Sequence, residues 1–163
     1  MGFLAGKKAL IVGLATDRSI AWGISQAMSR EGAELAFTYQ NDRIKDRVVE
    51  LAGELGSRLV MPMDVGIDGE IAEAFARIGR DWGALDVIVH SVAFAPRDAL
   101  TGSFVEATTR ENFALAHDVS SYSLTALARA GVPLMAGWLV IAIPVAALAV
   151  VLIRFNIKRV HII

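Results

Sequence analysis

The sequence holds no cysteine, which removes disulfides, thiolate nucleophiles and cysteine-ligated zinc together. Neither sign of charge is in surplus. Sixteen Lys and Arg stand against 17 Asp and Glu, a net −1, so neither nucleic acid nor an acidic lipid surface is expected as a general partner. The 3 histidines (His90, His117, His161) have no further ligands at metal spacing, so packing roles and no metal are expected of them. Tyrosine is nearly missing: the two present are Tyr39 and Tyr122. Residues 1–8 contain no apolar stretch with a cleavage site and pass straight into a strand pattern, which is the expectation for a cytoplasmic chain. A length of 163 residues allows one domain with a real core and not two comfortable ones. One stretch departs from this even texture. Val132 to Ile153 has no charged residue, and the tail from Trp138 onward supplies much of a mean hydropathy of +0.50.

What is present is an alternation of strand and helix patterns. Ala9-Leu10-Ile11-Val12 is a short apolar run closed by Gly13, as a buried parallel strand should be. Ile20, Ile24, Ala27 and Met28 recur at helical spacing and predict a helix over 20–30, with Ser19 as its N-cap and Gly32 as its stop. A second strand is expected over 34–39, an amphipathic helix over 43–55 ended by Gly56, and a third strand over 59–63 running to Asp64. A third helix follows over 68–82, a fourth strand over 85–90, and one long helix over 109–130. Strands alternating with helices of this length imply right-handed crossovers, hence an α/β, Rossmann-like, doubly wound parallel sheet.

In such a sheet, ligands bind beyond the carboxyl ends of the strands, at the switch in strand order. After the first strand, Gly13 permits a tight turn, Ala15 keeps the loop slim, and the helix starting near Ser19 and Ile20 offers free N–H groups to a pyrophosphate. A glycine turn and an ordinary helix cap explain the same residues. Gln40 follows the second strand, where dinucleotide folds place a ribose reader; no arginine directly replaces it, which leans towards NAD, although Arg43 is near. An exposed loop glutamine is the plainer account. Asp64 can accept from an adenine amino group with the Val65 backbone beside it, or simply cap a turn. Ser91, Val92 and Ala93 are small, as a backbone passing close to a cofactor should be.

These residues stand in longer strings that carry a resemblance. They include Gly13 with Ser19-Ile20-Ala21-Trp22-Gly23-Ile24, then Arg30-Glu31-Gly32-Ala33-Glu34-Leu35-Ala36-Phe37-Thr38-Tyr39-Gln40-Asn41-Asp42, and Asp64-Val65. His90-Ser91-Val92-Ala93-Phe94-Ala95-Pro96, Thr109-Arg110-Glu111 and Ala116-His117-Asp118-Val119-Ser120-Ser121-Tyr122-Ser123 continue them. Over residues 1 to about 137 the chain resembles the bacterial NADH-dependent enoyl-(acyl-carrier-protein) reductases, the type I form within the short-chain dehydrogenase/reductase superfamily. The resemblance implies NAD as cofactor, an enoyl thioester on acyl carrier protein as partner, and reduction of its double bond in fatty-acid elongation. It implies that Gly13, Ala15, Ser19 and Ile20 lie along the pyrophosphate and adenosine, with Gln40 at the adenosine end. Asp64 and Val65 would frame the adenine, Ser91, Val92 and Ala93 the nicotinamide ribose, and Ala95 the acyl substrate. Ser121 and Tyr122 fall in a helix this family uses for packing and subunit contact, so a homo-oligomer is compatible with it.

The chemistry asks for more. Hydride arrives at the β-carbon and negative charge builds on the thioester oxygen, which a tyrosine hydroxyl must stabilise while a lysine orients the nicotinamide ribose. The family carries both after its fifth strand. Here no tyrosine follows Tyr122, and the last third holds a single lysine, Lys158. No catalytic residue is therefore assigned, the sheet is expected to be incomplete at the carboxyl end, and these 163 residues are expected not to turn over substrate. The alternative is a non-catalytic NAD-binding or membrane-tethered remnant.

The division is thus a dinucleotide-binding unit over 1–137 and an atypical apolar tail over 138–163. The tail admits three accounts. Val132 to Ile153 is long enough for a membrane helix, although Pro133 and Pro144 interrupt it and Arg154, Lys158 and Arg159 follow on the disfavoured side, so this account is not preferred. Trp138 to Ile143 falls where a fifth buried strand belongs, with Val145–Ile153 as a core helix or strand and Phe155–Ile163 as another strand. A change of reading frame near Gly137 is the third.

Overall fold

The computed structural model describes residues 2–142, with a parallel five-stranded sheet at its centre. The elements are β1 (Lys8–Val12), α1 (Ile20–Arg30), β2 (Glu34–Tyr39), α2 (Asp42–Glu54), β3 (Leu59–Pro62), α3 (Asp68–Trp82) and β4 (Leu85–His90). Then come a 3₁₀ turn (Asp98–Leu100), α4 (Phe104–Ala107), α5 (Arg110–His117), a π turn (Asp118–Tyr122), α6 (Ser123–Gly131), a second 3₁₀ turn (Val132–Leu134) and β5 (Met135–Ala142).

The helices begin where the local chemistry allows. Ser19 caps α1 by accepting from the Trp22 N–H, and Asn41 caps α2 by accepting from the Arg43 N–H. Gly83 closes α3 in the left-handed region at φ 71°, where a side chain would be strained. The strands alternate their side chains between two faces. Ile11, Phe37 and Val89 pack with Trp22, Val48 and Leu51 of α1 and α2; Leu10, Ala36 and Ile88 pack with Ile71, Phe75 and Leu127 of α3 and α6. Phe37 is fully buried, and truncating it to alanine would cost about 3–5 kcal/mol.

Strand order is β3-β2-β1-β4-β5. Leu10 pairs with Ala36 on one side and Ile88 on the other, so β1 lies at the centre. The chain winds outward from β1 through β2 to β3, then returns to place β4 against β1's other edge. That reversal opens a crevice at the carboxyl ends of β1 and β4. α6 approaches the sheet closely at Gly131, where a Cβ would stand 2.8 Å from Ile88 Cδ1 and 3.0 Å from Phe75 Cε1.

The elements expected from the sequence lie within a residue or two of those observed, with one correction. The helix expected over 109–130 is one helical run from Arg110 to Gly131, but not α-helical throughout: a π segment at Asp118–Tyr122 joins α5 to α6, with right-handed helical backbone at each junction. Propensity carries no signal for that extra residue, which is fixed by what the turn touches. The segment Met135–Ala142 is a strand parallel to β4, with Ile88 opposite Val140 and His90 opposite Ala142. It takes the strand position allowed for Trp138–Ile143, so the continuous membrane helix considered over 132–153 does not extend through it. Among the described residues no helix is long and apolar enough to cross a membrane. The segments Val145–Ile153 and Phe155–Ile163 lie outside the described residues.

Candidate functional site

The crevice at the strand ends forms a cavity of about 540 Å³. Of the residues singled out from sequence, Gly13, Ala15, Gln40, Asp64, Val65, Ser91, Val92 and Ala93 all line it. Ser19, Ile20 and Ala95 do not. Ser19 is committed elsewhere: its hydroxyl donates to the Thr16 carbonyl at 2.7 Å and accepts from the Trp22 N–H at 3.2 Å. Its contribution is to start α1 beside the cavity. Ile20 is exposed on that helix's first turn.

Gly13 sets the floor. Its φ of +101° lies where L side chains are strained, and a Cβ there would stand 2.1 Å from the Ser91 carbonyl oxygen. The exits of β1 and β4 are therefore in backbone contact, and the Ser91 N–H donates to the Val12 carbonyl at 2.9 Å. Only glycine permits this approach while leaving the space above open.

The rim at β2 and β3 is a polar chain. Gln40 Nε2 donates to Asp64 Oδ2 at 2.9 Å, and Asp64 Oδ1 accepts from the Gly66 N–H at 2.9 Å. The Asp64 N–H in turn donates to Glu70 Oε2 at 2.6 Å, so the first turn of α3 holds the β3 exit in place. Each Asp64 oxygen already has one partner and keeps a second acceptor direction. Outside the lining, Arg47 of α2 meets Asp17 of the β1–α1 loop at 3.3 Å. Hydrogen bonding to Glu50, and more weakly the charge of Asp17, raises the already high pKa of Arg47.

The β4 end is anchored from below. His90 is buried, and its Nε2 lies 2.7 Å from Ser123 Oγ. Ser123 has one proton, which it donates to the Val119 carbonyl at 2.7 Å, so His90 Nε2–H is the donor of the pair. Burial pushes the His90 pKa below its usual value, keeping the ring neutral near pH 7. This is a tie between β4 and α6, in keeping with the packing role expected of it.

Leu115, Asp118 and Val119 also line the cavity, together with Ile44 of α2 and Thr38 and Met63 near the β2 and β3 exits. Sequence reasoning missed them. The strand-end rule finds residues that leave the sheet, while Leu115, Asp118 and Val119 arrive through packing of the α5 and π-turn segment over the crevice. Among the described residues no lysine or tyrosine lines the cavity.

Comparison with known proteins agrees with this geometry. The family model described as enoyl-(acyl carrier protein) reductase matches residues 13–152. The chain is similar to the enoyl-(acyl-carrier-protein) reductase (NADH) FabI of Salmonella typhimurium, 57% identical over 130 residues, covering 80% of this chain and 50% of that protein. The Aquifex aeolicus FabI is 48% identical over 137 residues, covering 84% and 50%. The crystal structure of the A. aeolicus reductase superposes with a TM-score of 0.79 at 48% identity, over 82% of this chain and 53% of that one. The Anaplasma phagocytophilum reductase, solved in complex with NAD, superposes with a TM-score of 0.82 at 39% identity, over 87% and 55%. The chain spans about half the length of the relatives it matches. With the sheet order, the glycine floor and the strand-end residues all in place, the chain belongs to the enoyl-(acyl carrier protein) reductase family.

Proposed function

We propose that these residues form the NAD-binding half of an NADH-dependent enoyl-(acyl-carrier-protein) reductase, working in the cytoplasm on enoyl thioesters carried by acyl carrier protein. The observation that carries this reading is the floor at Gly13, where backbone meets backbone and a Cβ would overlap the Ser91 carbonyl, so that glycine lets the β1 and β4 exits close into a cradle under the cavity. Such a cradle beside a helix N-terminus suits a pyrophosphate, because free N–H groups and the helix dipole favour negative charge there. In this reading Gly13, Ala15, Ser19 and Ile20 border the pyrophosphate and adenosine, Gln40 the adenosine ribose, and Asp64 and Val65 the adenine. Ser91, Val92 and Ala93 border the nicotinamide ribose, with Ala95 beside the acyl chain.

NADH, when bound, supplies the hydride. The chain's own part is to bind and orient. Asp64 offers its remaining acceptor directions to an amino group, while Gln40 holds that carboxylate in position. The side chains of Ile44, Leu115 and Val119 give the cavity an apolar lining. Among the described residues the cavity lining contains neither the tyrosine nor the lysine that would stabilise charge on a thioester oxygen. These 163 residues by themselves are therefore proposed to bind NADH without reducing an enoyl thioester.

The test is to titrate the chain with NADH by fluorescence and to assay it with a short-chain enoyl thioester. Binding without turnover is the expected result. Absence of NADH binding would overturn the nucleotide reading, and measurable turnover would refute the requirement for the tyrosine and lysine.

A further inference from the structure

We propose that Ser120 is a positioning residue for the nicotinamide side of the cavity, acting by clamping the backbone of Phe94. The proposal rests on the NAD reading above and adds a residue to it. Ser120 Oγ accepts from the Phe94 N–H at 2.9 Å and donates to the Phe94 carbonyl at 3.2 Å. Among the described residues, these are the hydrogen bonds that tie residues 92–95 to another element.

The behaviour of Ser120 differs from that of Ser25 and Ser123, two other helical serines in the same chain. Ser25 and Ser123 each turn their hydroxyl back on their own helix, donating to the carbonyl four residues earlier at 2.7 Å. That is the default for a serine inside a helix. Ser120 instead spends both its donor and its acceptor capacity on one residue 26 positions away in the chain. The π turn at Asp118–Tyr122 accompanies this arrangement: it interrupts the helical phase just where Asp118 and Val119 line the cavity and Ser120 meets the loop. Ser123, three residues further on, holds His90 at the end of β4. The segment leaving β4 is thus gripped at both ends of Ser91–Ala93.

Two bonds to one residue fix the orientation of its flanking peptides as well as its distance. Ala93, before Phe94, lines the cavity, and Ala95, after it, is the residue assigned beside the acyl chain. Releasing the clamp leaves the adenine rim of Gln40, Asp64 and Glu70 untouched, because those contacts belong to β2, β3 and α3. Ser120 should therefore matter for NADH and not for ADP, which ends before the nicotinamide.

The experiment uses the whole chain in three forms: wild type, Ser120→Ala and Ser120→Thr. Amide hydrogen exchange is followed in the peptide covering 92–96, and affinities are measured for NADH and for ADP. S120A is expected to speed exchange at 92–96 and to weaken NADH about three- to tenfold, the loss expected for one or two hydrogen bonds, with ADP affinity unchanged. S120T keeps the hydroxyl and should restore most of the NADH affinity. An S120A chain with wild-type exchange at 92–96, or one whose NADH and ADP affinities fall together, would overturn the proposal. A wild-type chain that binds neither nucleotide overturns the NAD reading instead, and the exchange data then still decide whether Ser120 holds the loop.

Discussion

Replacing Gly13 with alanine adds one methyl group at the point of closest approach between the two central strand exits. The new Cβ would lie 2.1 Å from the Ser91 carbonyl oxygen, 2.6 Å from its carbon and 3.2 Å from Val92 Cγ2. Two of these three neighbours are backbone atoms, so no rotamer change relieves the overlap. Separating the strands enough to admit the methyl costs about 1–3 kcal/mol by analogy with overpacked cores. Holding alanine at a φ of +101° adds about 1–3 kcal/mol of backbone strain. The sum, about 2–6 kcal/mol, is a large share of the roughly 5–15 kcal/mol that holds a domain of this size together. Urea and thermal unfolding of G13A would measure it, with a fall in melting temperature of at least about 5 °C expected from that sum. NADH titration at a temperature where G13A remains folded should show weakened binding, since the floor of the cavity has moved. Gly53→Ala is the control. Gly53 is exposed in α2 with nothing within 4 Å of its added Cβ, so alanine there should stabilise by about 0.5–1 kcal/mol. A G13A protein within about 1 kcal/mol of wild type would refute the argument, because strain and overlap together come to at least about 2 kcal/mol.

Glu70→Ala removes the acceptor that the Asp64 N–H reaches at 2.6 Å; a loss of about 1–2 kcal/mol in urea unfolding is expected, together with weaker ADP binding, since the adenine rim loses its support. His90 sets a pH dependence. Burial lowers its folded-state pKa below the unfolded value of about 6.5, so between those two values the unfolded chain binds more protons. The folded state is thus favoured above about pH 6.5 and loses stability as pH falls from there towards the folded pKa. Denaturant midpoints measured across pH 5–8 should show this loss, and His90→Gln should flatten it; an unchanged slope in that variant would point to another group.

Much of the architecture was legible because it rests on local rules. Short, largely apolar runs at 9–12, 34–39 and 85–90, the cap at Ser19, and stops at Gly32 and Gly56 are each readable within a few residues. The strand-end rule then picked out Gly13, Gln40, Asp64 and Ser91–Ala93, all of which do meet around one cavity. Ser19 illustrates the limit of such reading. Its type and place were recognised, yet its hydroxyl is used up by Thr16 and Trp22, a matter of hydrogen-bond partners that spacing cannot report. The cap of α2 is Asn41, whose side chain accepts from the Arg43 N–H, a role the helix expected over 43–55 does not assign.

What the sequence determined alone is the alternation of elements, the identity of the small and polar residues at the strand ends, and the family those strings belong to. Hydrophobic period, capping and turn chemistry act over a few neighbours, so they survive in a one-dimensional reading. The tertiary structure decided the rest. It brought the exits of β1 and β4 into backbone contact at Gly13, joined Gln40 to Asp64, and set Met135–Ala142 beside β4 as a strand. It also laid the π turn over the crevice, so that Asp118 and Val119 line it and Ser120 grips Phe94. These are contacts between residues far apart in the chain, set by how whole elements pack, and no local propensity encodes them.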